Sequence, residues 1–296
     1  MNFPLLKKST LAERIFIMAA LLVAGYILST VISVIVMIVA KSNYMTELSV
    51  LRISQISSQI LTFVMPPILY ACITKKQPMK YLGFNNIPLW SLLGVALIFT
   101  VMPINSVLAE WNSHITLPAS MAKLDEIIKQ LSELMQETLE KMVNVSDVSG
   151  LIINLIMIAG LAAFGEELLF RSTLQSFLVK KCKNAHIGIL ITSIIFSLIH
   201  FDIYGFLPRL VLGLILGYMF YYSKSIWVPM TMHFVNNGTV VVLYYLNNIG
   251  ATNIDVDTFG ETAILPLILS IIATVAIFWF VARSHNKVFK TENTEI

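Results

Sequence analysis

A chain of 296 residues that is 57% hydrophobic and only 12% charged does not fit a water-soluble globule of that size, so a soluble enzyme is excluded. The formal net charge of +3 reflects where loop lysines fall and gives no reason to expect a nucleic-acid partner. Apolar runs recur, each long enough to cross a hydrocarbon layer of about 30 Å as a helix. The expectation is an all-α polytopic membrane protein with eight transmembrane helices and one amphipathic helix outside the membrane.

In chain order the spans are Ile15 to Ala40, Ile56 to Ile73, Leu89 to Leu108, Leu151 to Phe170, His186 to His200, Phe206 to Tyr222, Ile226 to Leu246 and Ala263 to Ala282. The first follows Lys7, Lys8 and Arg14 as a signal sequence would, but its 26 apolar residues exceed a cleavable core, so it reads as an anchor. Between the third and fourth spans, Leu124, Ile128, Leu131, Met135 and Met142 keep a helical repeat broken only at Thr138. Acids and lysines fill the opposite face, predicting an amphipathic helix over 120–143. That helix either packs on the bundle or lies at the interface; a substrate gate or partner site is the alternative.

Cytoplasmic loops retain positive charge during insertion. With the N-terminus inside, the inner segments hold Lys7, Lys8, Arg14, Lys75, Lys76, Lys80, Lys180, Lys181, Lys183, Lys224, Arg283, Lys287 and Lys290, thirteen of the 20 basic residues. The outer segments hold Lys41, Arg52, Lys123, Lys129 and Lys141, while Arg171 and Arg209 lie in or beside spans. Both termini are therefore expected in the cytoplasm. The last outer loop agrees, with Asp255, Asp257 and Glu261 and no base. Cys72 and Cys182 then lie at inner, reducing ends of spans, and no disulfide is expected.

An ionisable group in a bilayer costs at least about 2.5 kcal/mol, so it is expected only where it pairs, lines water or acts. Three neighbouring segments hold such groups. In Glu166-Glu167-Leu168-Leu169-Phe170-Arg171, Glu167 and Arg171 are four apart with the acid first, the favourable order for an ion pair. Glu166 is turned about 100° from Glu167 and is left as a free carboxylate. An interfacial charge cluster at the span's end is the plainer reading. In Phe196-Ser197-Leu198-Ile199-His200 the ring can pack beneath the imidazole, although a histidine at a span's end is commonly interfacial. In His233-Phe234-Val235-Asn236-Asn237, His233 and Asn237 share a face, as a polar helix contact would also require.

Together these groups provide what peptide hydrolysis requires. A carboxylate takes a proton from water and an imidazole shares or relays it, while a second imidazole and an amide donate to the oxyanion. The same set could hold a divalent metal, though the two-histidine helix spacing of zinc proteases and a serine elbow are both absent. Gly213 and Gly217 would admit a close helix neighbour, and Arg209 near Asp202 reads as an ion pair.

The order and spacing of the three motifs, over about Leu151 to Asn237, resemble the CPBP family of intramembrane proteases. That family groups CAAX prenyl endopeptidases with bacteriocin-processing and immunity proteins. The resemblance implies a hydrolase of a bacterial-type cell membrane that cuts a peptide or membrane-protein substrate. Glu166 and His200 would activate water, His233 and Asn237 would stabilise the oxyanion, and Glu167, Arg171 and Phe196 would support them. No cofactor is favoured; the alternative is zinc held by Glu166, His200 and His233. The expected organisation is an N-terminal transmembrane region over 1–148, a CPBP-type core over 149–246, and an outer loop, last helix and cytoplasmic tail over 247–296. The competing functions are a catalytically silent immunity or scaffold protein and a proton-coupled transporter, the latter disfavoured by the lack of repeated halves.

Overall fold

The architecture comes from a computed structural model that describes residues 10–40, 48–115, 117–254, 256, 259–260 and 263–294, with the side chains of Leu11 and of residues 285–294 left aside. Lys7, Lys8, Lys41, Asp255, Asp257 and Glu261, and the side chains of Lys287 and Lys290, on which the charge count partly rests, lie outside this description.

Among the described residues nine principal helices follow one another: α1 (Leu11–Ala40), α2 (Leu48–Thr74), α3 (Leu89–Ser113), α4 (Ala122–Val143), α5 (Val148–Cys182), α6 (Ala185–Leu198), α7 (Phe206–Ser223), α8 (Trp227–Asn248) and α9 (Ile264–Thr294). No strand occurs among the described residues. The chain is an all-α polytopic membrane protein. Six helices, α1, α2, α3, α5, α7 and the first part of α9, are long and apolar enough to cross a bilayer. The expected fifth and seventh spans fall short of that description. α6 has only 14 residues, about 21 Å at 1.5 Å per residue. α8 has 22, but His233, Asn236 and Asn237 dilute its apolar character.

Outer helices differ from inner ones in what they show. α1 exposes Phe16 (73%) and Val39 (76%), a surface that only lipid would tolerate. The core is built from α3, α7, α8 and α9, where Leu97, Val101, Leu216, Met219, Met232 and Val281 interlock. The predicted close approach at the glycines of α7 is present. A β-carbon at Gly217 would sit 2.8 Å from Ile189 of α6, and one at Gly213 would sit 3.0 Å from Ser193 Cβ.

Two departures from the expected spans position the site. The run read as Leu151 to Phe170 continues unbroken to Cys182, so Glu166, Glu167 and Arg171 sit inside α5 and not at its end. The charges there misled because they resemble a terminus, whereas burial and pairing let the helix carry them onward. In addition, α5 is wound as π-helix over Leu155–Leu161 and Leu168–Gln175, and the two glutamates ride the α-helical turn between them. Such widened turns re-aim side chains and recur at functional sites.

The second departure concerns depth. The start of α8 is covered by the connection after α2: Ile226 donates its N–H to Gly83 O at 2.7 Å, Ser225 Oγ donates to Asn85 O at 2.8 Å, and Ile226 is fully buried against Leu82 and Leu168. His233, about two turns on, therefore lies within the protein despite its few residues of helix below it.

α4 forms where the periodicity placed it, and Ile128, Leu131 and Met142 of the predicted stripe turn inward, with Met142 buried. Leu124 (43%) and Met135 (47%) are exposed, while Asp125, Ser132 and Thr138 also turn partly inward. The reason is a cavity of about 1170 Å³ beneath the helix, which draws polar side chains toward it. The C-terminal end is anchored firmly, with Met142 and Val143 buried and their carbonyls accepting from Asn154 and Asn248 at 2.8 and 3.2 Å. Tyr204 OH donates to Asp125 at the other end, at 2.6 Å. The Cys72 and Cys182 thiols are both free.

Candidate functional site

Arg171 Nε donates to Glu167 Oε2 at 2.8 Å, and both side chains are fully buried. This is the pair that acid-first spacing predicts. The sequence reading missed what Glu167 does with its other oxygen: His233 Nδ1 of α8 lies 2.9 Å from Glu167 Oε1. A signal was available, because a buried carboxylate has two oxygens to satisfy and an arginine Nε takes one.

A carboxylate only accepts, so Nδ1 of His233 carries a proton, which turns Nε2 toward Glu166 Oε2 at 3.9 Å. Glu166 keeps 12% side-chain exposure while Glu167 keeps none. The neighbouring glutamates thus have different surroundings. Glu167 is tied on both sides, whereas among the described residues no hydrogen bond holds Glu166.

Phe196 joins the three helices. Its ring lies 5.2 Å from His200, 6.1 Å from His233 and 5.2 Å from Phe170, and the Arg171 guanidinium sits 5.0 Å from its centre. The predicted packing under His200 is therefore one contact of four. Edge contacts of this kind are worth about 0.5–1.5 kcal/mol each and restrict the imidazoles. His200 Nδ1 donates to the Phe196 carbonyl at 2.8 Å, so the neutral ring keeps a lone pair on Nε2. His200 also lies within electrostatic reach of Glu166, Arg209 and His233.

Asn237 is one turn beyond His233. Its Nδ2 donates to Ile158 O on α5 at 3.3 Å and its Oδ1 accepts from Asn236 at 3.1 Å, which orients the amide and leaves one N–H.

His200 alone of this group lines the 1170 Å³ cavity, together with Gln55, Ser132, Glu133, Tyr204 and Arg209. Arg209 ion-pairs with Asp202 on the cavity rim, as their proximity in sequence suggests. Burial pushes the Asp202 carboxyl up, but the Arg209 guanidinium outweighs it and holds it below the usual carboxylate range.

Among the described residues no three histidine, cysteine or acidic side chains are gathered so as to hold a metal ion, Glu166, His200 and His233 included. Each imidazole has Nδ1 engaged by an acceptor and Nε2 to offer, an arrangement that a metal-binding histidine also takes.

Residues 148–239 match the family described as type II CAAX prenyl endopeptidase Rce1-like. The resemblance to the CPBP protease family holds. Its segment begins with α5 and ends just past Asn237, so it encloses all three motifs. Two curated proteins of Bacillus subtilis (strain 168) are similar over the same scale. "Uncharacterized protein YpbD" is 34% identical over 86 residues, 28% of this chain and 41% of that protein. "Putative membrane peptidase YdiL" is 32% identical over 78 residues, 26% of this chain and 32% of that protein. The chain thus spans less than half of either relative. No solved structure matches it. The matched segment holds the helices that carry Glu166, His200 and His233, while α1 to α4 lie outside it.

Proposed function

We propose that the protein is an intramembrane endopeptidase that hydrolyses a peptide bond in a membrane-associated protein or peptide. Glu166 takes a proton from the attacking water, and His200, with Nε2 free, shares or relays it. The oxyanion of the tetrahedral intermediate is met by His233 Nε2 and the remaining N–H of Asn237. Glu167 and Arg171 hold His233, and Phe196 restricts both imidazoles.

One observation carries this reading: Glu167, His233 and Glu166 form a carboxylate–imidazole–carboxylate chain drawn from two helices and buried with Arg171. For Nε2 to donate to an oxyanion while Nδ1 donates to Glu167, His233 must be an imidazolium. Two carboxylates, one guanidinium and one imidazolium sum to zero, the charge state that low-dielectric surroundings tolerate best. The core over 149–246 would then be the catalytic unit, with both termini cytoplasmic.

The test is cleavage of membrane peptides in cells carrying the native chain or Glu166→Gln. The variant is expected to insert and accumulate normally while turnover falls by about 10²–10⁴-fold. Asn237→Ala is expected to cost about 10²–10³-fold. Undiminished cleavage by Glu166→Gln removes the assignment, and full protective or binding activity without cleavage replaces it with the scaffold reading. Strong chelation is expected to leave turnover unchanged. Loss with chelator and recovery with zinc would make the site a metal centre.

A further inference from the structure

An apolar groove lies between α1 and the helices behind it. Leu22 of α1, Phe63 of α2, Leu174 of α5 and Ile195 of α6 are among the side chains around a cavity of about 670 Å³. That volume falls within the range of about 300–1,000 Å³ usual for ligand sites. On α1 the groove runs from Tyr26 back to Arg14, about 18 Å at 1.5 Å per residue. One leaflet of a hydrocarbon core about 30 Å thick has a similar depth. At the Tyr26 end the groove is closed by a helix crossing, because a β-carbon at Gly25 would overlap the Leu61 carbonyl. Its flank is open to lipid, with Ile15 and Val23 more than half exposed.

The other end is basic. Arg14 lines the groove there, as do the rings of Tyr70 and Tyr81. The Lys75 ammonium, just past α2, sits 4.3 Å from the centre of the Tyr81 ring and 5.8 Å from that of Tyr70. Lys180 lies on α5, about one turn beyond Phe177 of the groove wall. Burial, then the Arg14 guanidinium and then the Lys180 ammonium hold Lys75 below the ordinary lysine value. Among the described residues neither Lys75 nor Lys180 is paired with a carboxylate. Three cations from three helices thus repel one another at the mouth of an apolar groove, and an anion placed there relieves the repulsion.

We propose that the groove binds one anionic phospholipid, with an acyl chain along α1 from Arg14 to Tyr26 and the headgroup phosphate at Arg14, Lys75 and Lys180. A bare apolar groove accepts any lipid tail, and exposed lysines accept any anion. The two placed end to end select a molecule that has both parts. The three cations belong to the inner segments of the expected orientation, and the cytoplasmic leaflet is the anionic one. The bound chain would lie against Phe170, whose ring meets Phe196 at 5.2 Å, and so back the aromatic cluster from the side away from His233. This assignment is independent of whether the chain cleaves peptides.

The test is native mass spectrometry of the full chain in detergent with equal amounts of phosphatidylglycerol and phosphatidylcholine. The native chain is expected to retain one phosphatidylglycerol, preferred at least about 10-fold over phosphatidylcholine. Lys75→Gln and Lys180→Gln are each expected to lower that preference about 5-fold. Ala19→Trp fills the groove from an exposed position and is expected to reduce retention of both lipids. Lys224→Gln, at the same end of the bundle but off the groove, is expected to change neither. Equal retention of the two lipids by the native chain overturns the proposal, as does undiminished retention by Ala19→Trp. An equal loss of preference in Lys224→Gln would reduce the effect to diffuse surface charge and overturn it too. Excess inorganic phosphate is expected to leave the lipid in place; displacement by phosphate would make this a site for the free anion and remove the lipid. Lys180 is exposed, so its variant decides the matter if Lys75→Gln accumulates poorly.

Discussion

Two pairs in this molecule share one sequence pattern and differ in everything else. Glu167 and Arg171, and Asp125 and Lys129, are each acid-first at four-residue spacing on a helix, and their closest approaches are 2.8 and 2.9 Å. The first pair is fully buried, touches Phe196 and His233, and lies inside α5. The second lies on α4, with Lys129 half exposed and Tyr204 as its neighbour. Spacing alone establishes contact; environment decides whether that contact is indispensable or incidental.

The largest effect expected from this contrast is on Arg171. Arg171→Met removes the guanidinium from the buried Glu167 carboxylate and leaves the two glutamates with only the His233 imidazolium between them, a change that costs about 3–5 kcal/mol. The variant is expected to accumulate poorly and to lose its thermal transition in detergent. Glu167→Met with Arg171→Met removes both charges and is expected to restore the transition close to native. The double variant should still cleave nothing, because His233 has lost its acceptor. Recovery of turnover with recovery of stability would show that the pair serves folding alone and that His233 needs no orienting group.

Glu167→Gln separates orientation from charge more finely. An amide no longer supplies the negative charge that balances the His233 imidazolium, and it can offer Nδ1 either an oxygen or an N–H, so neither the protonation nor the orientation of the ring is fixed. Turnover per folded molecule is expected to drop about 100-fold or more, with KM little changed. A KM effect alone would place His233 in substrate binding.

The motif residues were legible because each pair within a helix is separated by a whole turn: Glu167 with Arg171 and Phe196 with His200 follow from periodicity. The tie between Glu167 and His233 was not, since it crosses 66 positions and depends on how α8 packs on α5. The π-helical stretches of α5 were also hidden, because widened turns leave no mark in an apolar run. The bounds of α6, Ala185–Leu198, fall within two residues of the expected His186 to His200, whereas the polar side of α2 was readable but passed over. A span of 14 residues needs no full bilayer crossing when its neighbours cover its ends. Arg52 is counted in an outer segment, although it lies on α2 at helical spacing from Gln59. The fold class and the cluster that converges on Glu166 were therefore visible in the sequence, whereas depth, winding and access were set by tertiary packing.

The smallest expected effect lies on α4. The Tyr204 hydroxyl and then the Lys129 ammonium hydrogen-bond the Asp125 carboxylate and hold it below the usual carboxylate range. A carboxylate depressed in the folded state contributes stability above its unfolded value of about 4, and that contribution is lost as pH falls through the folded value. The N-terminal end of α4 is therefore expected to keep its protection from protease at pH 7 and pH 5 and to lose it as pH falls below about 4. The buried Met142 end should hold throughout. Tyr204→Phe removes the first donor, so it should lower protection modestly at pH 7 and flatten the pH response, while Lys129→Gln should change less because its ammonium is half exposed. If Lys129→Gln instead loosened the helix more than Tyr204→Phe, the exposed pair and not the tyrosine would be the tether. The contrast with Glu167 and Arg171 would then be one of degree, not kind.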